Sequence, residues 1–370
     1  MKQVFGLICA NYSPDYMGDI VKDRPIAALP FGGRYRLIDF ALSNMTNMGI
    51  QSVGVVMASN YRPIIDHISS GKAWGLDRKR EGLFILPGAN FGARFGAVKF
   101  LMGDIIRNQE YLIRANEQYI IISSANQVFN MDYEELARAH IARGADVTLV
   151  YKKTCGYYVS DEEKIFLTLN SDGMVAGFGH SQIDEKDNLF CDLLIMNKNL
   201  LMDLIDWYKE VPYIDLMEVI EQNHRTIRIN AFETDCYLKR IDSVKEYYRT
   251  NMDLLKKEVR KELFQGDRKI YTKVRDNPPT KYETGCHVSN TLVANGCVIY
   301  GTVENSIISR RNIIEKGAVV KNSILMQGTI VRAGAVVENV ISDKYAEIHP
   351  GSVIKGRTDK PIYLPKTEKF

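Results

Sequence analysis

The stretch Gly317-Ala318-Val319-Val320 decides the fold of residues 286–370, because it returns as Gly334-Ala335-Val336-Val337 and as Gly351-Ser352-Val353-Ile354 at a strict interval of 17 residues. The triplets that share this interval are Asn305-Ser306-Ile307, Asn322-Ser323-Ile324 and Asn339-Val340-Ile341. A finer period of six runs through the aliphatic residues Ile313, Val319, Leu325, Val331 and Val337. Short strands separated by Gly and Asn turns are typical of a solenoid. The repeat therefore predicts a parallel β-helix with about three strands in each coil.

Residues 1–255 follow a different pattern, in which short apolar runs alternate with amphipathic stretches. The runs 53–57, 119–122 and 147–151 are predicted to be buried strands, and residues 132–141 have helical spacing. Strands that alternate with helices predict a Rossmann-like α/β domain with a mostly parallel sheet. Ligands on such sheets bind at the carboxyl ends of the strands, which here means the loops after Ile8 and Ile122.

The boundary between the two patterns falls in a polar stretch that contains Asn277-Pro278-Pro279. Two consecutive prolines after a charged segment are typical of a linker. We therefore predict an α/β domain over residues 1–255, a linker over residues 256–285 and the β-helix over residues 286–370.

The composition limits the classes of function. The chain has 370 residues, of which 45% are hydrophobic and 25% charged, and its formal net charge is +3. This balance argues against nucleic acid or an anionic membrane as the main partner, since both favour a concentrated basic face. No apolar run approaches the ~20 residues that cross a bilayer, and the cysteine spacing fits neither a zinc site nor a dense disulfide framework. We therefore expect a cytoplasmic protein that binds neither nucleic acid nor membrane.

Two motifs carry a resemblance to a known family. They are Pro30-Phe31-Gly32-Gly33-Arg34-Tyr35-Arg36-Leu37-Ile38-Asp39-Phe40-Ala41-Leu42-Ser43-Asn44 and Gly71-Lys72-Ala73-Trp74-Gly75-Leu76-Asp77-Arg78. Both resemble hallmarks of bacterial ADP-glucose pyrophosphorylases (glucose-1-phosphate adenylyltransferases), and the resemblance covers nearly the whole chain. It implies a nucleotidyltransferase domain followed by a left-handed β-helix of hexapeptide repeats. That family makes ADP-glucose and pyrophosphate from ATP and glucose 1-phosphate for glycogen synthesis.

The turn after the first strand departs from the family pattern. Nucleotidyl transfer relies on a metal ion, on basic groups and on a Gly-rich turn whose N–H groups approach the triphosphate. The family has G-G-x-G-x-R-L there, whereas this chain has Ala10-Asn11-Tyr12-Ser13-Pro14-Asp15-Tyr16-Met17-Gly18. Tyr12 and Tyr16 are bulky, and Pro14 has no N–H. We therefore expect no phosphate cradle in this turn.

Two carboxylates that the family uses to bind Mg²⁺ are also absent. The match of residues 131–133 to the family's M-D-Y places Asn126 at the position of the first aspartate. Counting back from residues 251–254 places Arg240 at the second, although Asp242 lies two positions along. The loss of both charges removes most of the attraction for Mg²⁺. Ser181 stands where the family's F-x-E-K-P has the lysine that meets the sugar phosphate.

These departures in a recognisable frame resemble the GlgD-type regulatory subunit, a non-catalytic or weakly catalytic paralogue that assembles with a catalytic subunit and tunes it. The resemblance implies a hetero-oligomer, expected to be a tetramer, with Mg²⁺ only in the catalytic partner and no cofactor or catalytic residue in this chain. A homotetramer stays open. Two alternative functions also stay open: an active sugar-nucleotide pyrophosphorylase with an unconventional metal site that uses Asp242, and a scaffold that senses a sugar phosphate.

Five basic residues are candidates for binding an anionic metabolite effector: Arg34, Arg36, Arg78, Lys79 and Arg80. The resemblance implies that charged metabolites bind between the two domains of this family. The alternative is that Arg36 pairs with a neighbouring carboxylate and that residues 77–80 form a solvated loop.

Overall fold

The computed structural model describes residues 3–12, 15–57, 60–88, 98–154, 157–185 and 187–367. It contains the predicted α/β domain and β-helix. In chain order the regular elements of the α/β domain are β1 (Val4–Cys9), β2 (Pro30–Phe31), β3 (Tyr35–Arg36), α1 (Leu37–Asn47), β4 (Ser52–Met57), α2 (Arg62–Ile68), β5 (Gly82–Pro87), α3 (Met102–Arg107), α4 (Gln109–Arg114), β6 (Tyr119–Ser124), β7 (Gln127–Phe129), α5 (Tyr133–Arg143), β8 (Val147–Lys153), β9 (Tyr157–Leu169), β10 (Val175–Glu185), β11 (Asn188–Asn197), α6 (Lys198–Tyr208), α7 (Leu216–Gln222), β12 (Ile229–Glu233), β13 (Leu238–Arg240), α8 (Val244–Asp253) and α9 (Lys257–Phe264).

The central sheet has the strand order β10-β9-β11-β6-β1-β4-β5, and β8 pairs with both β11 and β12. Strands β6, β1, β4 and β5 run parallel, as the alternation of strands and helices predicts. β11 runs antiparallel to β6, β8 and β9. β9 and β10 are also antiparallel, and antiparallel neighbours can be joined without a crossover helix.

Apolar side chains cover both faces of the sheet. One core contains Phe40 of α1 and Leu136 of α5, and the other contains Leu112 of α4 and Leu204 of α6. Strands β1 and β4 are buried at every position, which is why their sequences are continuous apolar runs. No helix of the described residues is long and apolar enough to cross a membrane.

The repeat folds into the predicted left-handed β-helix, built from three parallel five-stranded sheets. Its strands are β14 (Lys281–Tyr282), β15 (His287–Ser289), β16 (Leu292–Val293), β17 (Val298–Ile299), β18 (Thr302–Glu304), β19 (Ile307–Ile308), β20 (Ile313–Ile314), β21 (Val319–Lys321), β22 (Ile324–Leu325), β23 (Ile330–Val331), β24 (Val336–Glu338), β25 (Val340–Ser342), β26 (Glu347–Ile348), β27 (Val353–Lys355) and β28 (Ile362–Leu364). The repeated residues Asn305, Asn322 and Asn339 have φ of 47°, 46° and 51°. Asn tolerates this left-handed conformation, which explains its return at each coil.

The β-helix packs on the α/β domain through the sheet that contains β19, β22 and β25. Ile307, Ile324 and Ile341 of that sheet are buried in the same core as α1. Gly33 in the β2–β3 turn has φ +79°, and a Cβ there would lie 3.3 Å from the carbonyl oxygen of Ile308. Glycine is therefore required where the turn meets the β-helix. The predicted linker 256–285 contains α9 and β14, and its boundaries stay a prediction.

Candidate functional site

The site lies where the segment after β6 meets the segment after β13. β13 pairs antiparallel with β7, and Arg240 lies opposite Gln127 in the register. The backbone N–H of Ile241 donates to the carbonyl oxygen of Asn126 at 2.8 Å, and Asn126 Nδ2 donates to the carbonyl oxygen of Ile241 at 3.2 Å. These bonds hold Asn126 beside the segment that contains Arg240, so the two residues that the resemblance places at the metal-binding positions lie close together.

Asn126 is held by a carboxylate rather than by a metal. Its Nδ2 also donates to Asp242 Oδ1 at 2.7 Å, while its Oδ1 is buried without a hydrogen-bond partner among the described residues. A carboxylate at position 126 would face the carboxylate of Asp242 across the same distance. The amide therefore supplies a donor that an aspartate could not.

Arg240 joins two buried carboxylates. Its Nε donates to Asp242 Oδ2, and its Nη1 lies 3.2 Å from Asp192 Oδ2. The three side chains are at most 9% exposed. Although burial opposes it, the charges of Asp242 and Asp192 raise the pKa of Arg240. Arg240 therefore carries a permanent positive charge into the middle of the site.

Lys99 is a second cation at the site. Its Nζ lies 2.5 Å from Asp192 Oδ2 and 5.1 Å from the ring centroid of Tyr12. Burial alone would raise the pKa of Asp242, but Arg240 and Lys99 hold it below its usual value. Asp242 is therefore charged, and basic side chains of the same chain already engage both carboxylates.

Lys164 and Glu246 complete the group of charges. Lys164 is 7% exposed and stabilises the charged forms of Asp242 and Glu246. Glu246 Oε2 accepts from the backbone N–H of Asp242 at 3.0 Å. Burial and the neighbouring Asp242 raise the pKa of Glu246. Glu246 is therefore easier to protonate than Asp242, whose pKa is lowered.

Mg²⁺ does not fit this arrangement. The site holds three basic side chains, Lys99, Lys164 and Arg240, beside three acidic ones, Asp192, Asp242 and Glu246. Mg²⁺ needs anionic oxygen ligands in octahedral geometry, whereas here guanidinium and ammonium groups engage the carboxylates. No group of three or more His, Cys, Asp or Glu in the described part of the chain has a geometry suited to a metal ion. A divalent cation would have to displace Arg240 to reach Asp242.

The turn after β1 is filled by a side chain. Tyr12 is 4% exposed, and its hydroxyl donates to Asp242 Oδ1 at 3.4 Å. Residues 13 and 14 lie outside the described residues. Because the Tyr12 ring packs under Lys99, the space that a Gly-rich turn would leave for phosphate is occupied at this position.

Ser181 faces a lysine that no sequence motif singles out. Ser181 on β10 is paired with Lys164 on β9, and side chains of directly paired residues lie on the same face about 5 Å apart. Lys164 on the neighbouring strand therefore lies next to the position where the family has its lysine. His180 lies beside it on β10 and contacts Glu221 at 2.9 Å.

A cleft of about 1190 Å³ runs from this site to the β-helix. Its lining includes Lys164, Arg240 and Glu246 of the α/β domain and the turn residues Asn290 and Asn305 of the β-helix. Asn290 Nδ2 donates to Asn305 Oδ1 at 2.7 Å. The cleft therefore offers both charged groups and amides, and amides suit hydroxyl groups.

The effector candidates fall into two groups. Arg34 and Arg36 belong to a set of basic residues at the junction of the two domains, which we name the junction cluster: Arg24, Arg34, Arg36, Arg275, Arg310 and Lys344. These residues are grouped because burial and the positive charges of other members lower the pKa values of Arg36, Arg310 and Lys344. Arg78, Lys79 and Arg80 are exposed, and Arg78 Nε donates to the carbonyl oxygen of Gly75 at 3.2 Å. Among the described residues no contact links them to the junction cluster.

The junction cluster carries more positive charge than its carboxylates neutralise. Arg24 Nη2 reaches across the domains to Asp343 Oδ2 at 2.6 Å, and Arg36 donates from its backbone N–H to Asp39 Oδ2 at 2.9 Å. Burial, opposed by Asp39 and assisted by Arg24 and Arg275, lowers the pKa of Arg36 to about 10. Burial and the nearby Arg36 and Arg24 lower the pKa of Lys344 to about 7. The lowered pKa values of Arg36 and Lys344 show that basic groups of the junction cluster repel one another, so a bound anion would stabilise their charged forms.

Comparisons with known proteins agree with this geometry. A Nucleotidyl transferase profile matches residues 18–164, and a GlmU-like, C-terminal hexapeptide profile matches residues 278–360. The glycogen biosynthesis protein GlgD of Geobacillus stearothermophilus is 37% identical over 322 residues, which are 86% of this chain and 83% of that protein. GlgD of Bacillus subtilis is 35% identical over 367 residues, or 98% and 96% of the two chains.

The glucose-1-phosphate adenylyltransferase of Geobacillus stearothermophilus is also similar, at 32% identity over 304 residues, which cover 79% of this chain and 76% of that enzyme. The resemblance that the two sequence motifs carry is therefore confirmed. The chain belongs to the family of GlgD glycogen biosynthesis proteins, which is related to the glucose-1-phosphate adenylyltransferases.

Proposed function

We propose that this chain is a non-catalytic or weakly catalytic regulatory subunit of glucose-1-phosphate adenylyltransferase in glycogen biosynthesis. The observation that carries the proposal is the ion pairing of Arg240 with Asp242 and Asp192, next to Asn126. Positive charge stands where the transfer reaction needs Mg²⁺, and the carboxylates that would attract the ion are engaged. The active alternative is disfavoured by the same contacts, since Asp242 is not available to a metal.

The partner in this proposal is a catalytic glucose-1-phosphate adenylyltransferase subunit, in a hetero-oligomer that we expect to be a cytoplasmic tetramer. Mg²⁺ acts only in the partner's site. This chain changes the partner's rate or its response to an anionic metabolite. The similarity to both GlgD proteins and glucose-1-phosphate adenylyltransferases supports a role beside such a partner.

The anion would bind in the junction cluster, near Arg34 and Arg36. The position between the domains supports this role, because an anion there bridges the α/β domain and the β-helix and would couple their relative arrangement to the metabolite. Arg78, Lys79 and Arg80 are exposed and contribute, in this proposal, only to the positive potential of the protein surface.

A second candidate function is a sensor for a sugar phosphate, and it is favoured by one observation. Lys164 lies opposite Ser181 and lines the cleft, so a basic group is present where a sugar phosphate would bind. In this reading Arg240 and Lys164 neutralise the phosphate without a metal.

Rate measurements on three samples test the proposal: the purified chain, the catalytic partner, and their mixture. ADP-glucose synthesis should be negligible for the chain alone, and the mixture should differ from the partner in rate or effector response. An unchanged partner would favour the sensor, and glucose 1-phosphate binding measured by calorimetry, with Lys164→Met as the variant, would then decide for or against it.

A further inference from the structure

A second groove lies at the edge of the α/β sheet opposite the candidate functional site. Its volume is about 560 Å³, within the range of roughly 300–1,000 Å³ that small-molecule sites occupy. Its lining includes Tyr119, the first residue of β6, Asp146, which precedes β8, and Asn197, the last residue of β11. The candidate functional site instead follows the carboxyl end of β6. A ligand in this groove would therefore leave the cleft free.

One exposed face of α6 lines the groove. Asn199, Asp203 and Trp207 follow one another at intervals of four residues, so they lie on the same side of the helix. All three are exposed, whereas Leu201 and Leu204 on the other side of α6 are buried in the core. We name these three exposed residues the α6 stripe. At 1.5 Å per residue the stripe is about 12 Å long.

Trp207 presents an indole ring to solvent. It is 61% exposed and belongs to none of the hydrophobic cores of the described residues. The chain has only two tryptophans, and the other, Trp74, is 5% exposed and donates from Nε1 to Ser43 Oγ at 3.3 Å. A large aromatic ring beside a polar groove combines apolar contact area with nearby hydrogen-bonding groups, as ligand sites do.

The polar side chains around the ring are not engaged by the protein. Asn116, Gln118, Asn199 and Asp203 line the groove and make no side-chain hydrogen bond among the described residues. An amide supplies both donors and an acceptor, and a carboxylate accepts. A hydroxyl group donates one hydrogen bond and accepts others, so it can pair with any of these side chains.

The charges of the groove disfavour an anion. The carboxylates of Glu117, Asp146 and Asp203 line it beside a single basic side chain, Lys198. Lys198 Nζ donates to the carbonyl oxygen of Ala115 at 2.6 Å and is therefore already engaged. No group of three or more His, Cys, Asp or Glu among the residues that the structure describes is suited to a metal ion. An uncharged ligand that carries hydroxyl groups fits the groove best.

We propose that this groove binds a neutral α-linked glucan chain along the α6 stripe. A sugar ring has an apolar C–H face, which stacks on the ring of Trp207, and a rim of hydroxyl groups, which pair with Asp203, Asn199 and the amides of Asn116 and Gln118. The choice of a glucan among neutral saccharides rests on the proposed role in glycogen biosynthesis. Attachment to the polymer goes beyond that role, because it needs neither the catalytic partner nor the cleft.

Native gel electrophoresis of the full chain through gels that contain glycogen tests the proposal. Glycogen should retard the unmodified chain, and dextran, a glucan of different linkage, should retard it less. Trp207→Ala should raise the dissociation constant for glycogen at least about tenfold, because the stacking surface is lost. The matched control is Tyr61→Ala, which removes an aromatic ring that is 52% exposed outside the groove and should leave the retardation unchanged. No retardation by glycogen, or equal retardation of Trp207→Ala, overturns the proposal.

Tryptophan fluorescence locates the bound saccharide. Maltoheptaose should move the emission to shorter wavelength, because it covers Trp207 while Trp74 is already buried. Trp207→Phe keeps an aromatic ring and should still be retarded by glycogen, but its emission should not shift. Glucose should bind at least about tenfold more weakly than maltoheptaose, since one ring cannot span the α6 stripe. A shift that persists in Trp207→Phe, or equal dissociation constants for glucose and maltoheptaose, contradicts the proposed placement.

Asp203 distinguishes a neutral ligand from a cation. Asp203→Asn keeps an acceptor oxygen and should retain most of the glycogen binding, whereas Asp203→Ala should lose it. Loss of binding in Asp203→Asn as well would show that the groove needs the negative charge and would overturn the assignment to a neutral glucan.

The regulatory role and glucan binding can fail separately. Trp207→Ala should still change the catalytic partner's rate or effector response in the absence of glucan, as the unmodified chain should. Glycogen binding without any effect on the partner would refute the regulatory role alone. An effect on the partner without glycogen binding would refute the glucan site alone.

Discussion

Restoring the two missing carboxylates would reveal whether Arg240 has replaced the metal. The perturbation is Asn126→Asp together with Arg240→Asp. Without metal the variant loses the ion pairs of Arg240 with Asp192 and Asp242 and places two new negative charges beside them. Breaking a buried ion pair costs about 3–5 kcal/mol. We therefore expect the free energy of unfolding in EDTA to fall by at least about 3 kcal/mol.

Mg²⁺ should return part of that loss. An ion that binds only the folded state stabilises it by about 2.7 kcal/mol at a concentration one hundred times its dissociation constant. Urea unfolding in EDTA and in saturating MgCl₂ should therefore differ for the variant and coincide for the unmodified chain, and calorimetry should detect Mg²⁺ binding only to the variant. ADP-glucose synthesis should stay absent, because Tyr12 still occupies the turn after β1.

The control is Asn126→Ala with Arg240→Met, which removes the same side chains without adding carboxylates. It should lose stability and stay insensitive to Mg²⁺. The reasoning is refuted if Mg²⁺ stabilises the unmodified chain as much as the carboxylate variant, or if the carboxylate variant does not respond.

The remaining predictions concern the charges and the packing. Arg240→Met alone should lower the free energy of unfolding by about 3–5 kcal/mol at pH 7. This loss should become smaller below about pH 4, because the pKa of Asp242 is held below its usual value and the stability that its charged form contributes disappears on protonation. Urea unfolding at pH 7 and pH 3 measures the loss, and an equal loss at both pH values would contradict the prediction. When an anion binds the junction cluster at pH 8, the protein should take up close to one proton, because the anion raises the pKa of Lys344 from about 7. Calorimetry in two buffers of different ionisation enthalpy measures this proton uptake, which Lys344→Met should abolish. The absence of uptake in the unmodified chain would count against the site. Ile324→Ala should lower the free energy of unfolding by about 2–5 kcal/mol, since Ile324 is 2% exposed between the domains. Val353→Ala on the exposed solenoid surface should change it by less than about 0.5 kcal/mol. Similar effects of the two substitutions on the midpoint of urea unfolding would contradict the packing.

The solenoid is well predicted from the sequence because each repeat encodes its own turn. The residues that return every 17 positions, such as Asn322 and Gly334, have positive φ in the structure, and the buried valines between them fill the interior. The antiparallel part of the α/β sheet is not predicted, because an apolar run does not reveal the direction of its strand. β11 is such a run, and only its pairing with β6 and β8 shows that it is antiparallel.

The site is predicted at the two positions where a motif fixes the register, Asn126 and Arg240. Its other charges are missed because their partners are remote in sequence, as with Lys99 and Asp192, which are 93 residues apart. One signal is present: Asp192 interrupts an apolar strand, and a buried carboxylate requires a charged partner. A shift in the register of β11 between Phe190 and Leu194 and a φ of 47° at Asp192 mark this residue in the structure.

The most direct test of the central claim is ADP-glucose synthesis by the purified chain, by a catalytic glucose-1-phosphate adenylyltransferase subunit from the same source, and by the two together, each with saturating Mg²⁺, ATP and glucose 1-phosphate. The ion pairs of Arg240 predict no measurable turnover by the chain alone and a mixture whose rate or effector response differs from that of the catalytic subunit. Turnover by the chain alone at a rate comparable to the catalytic subunit would contradict the account.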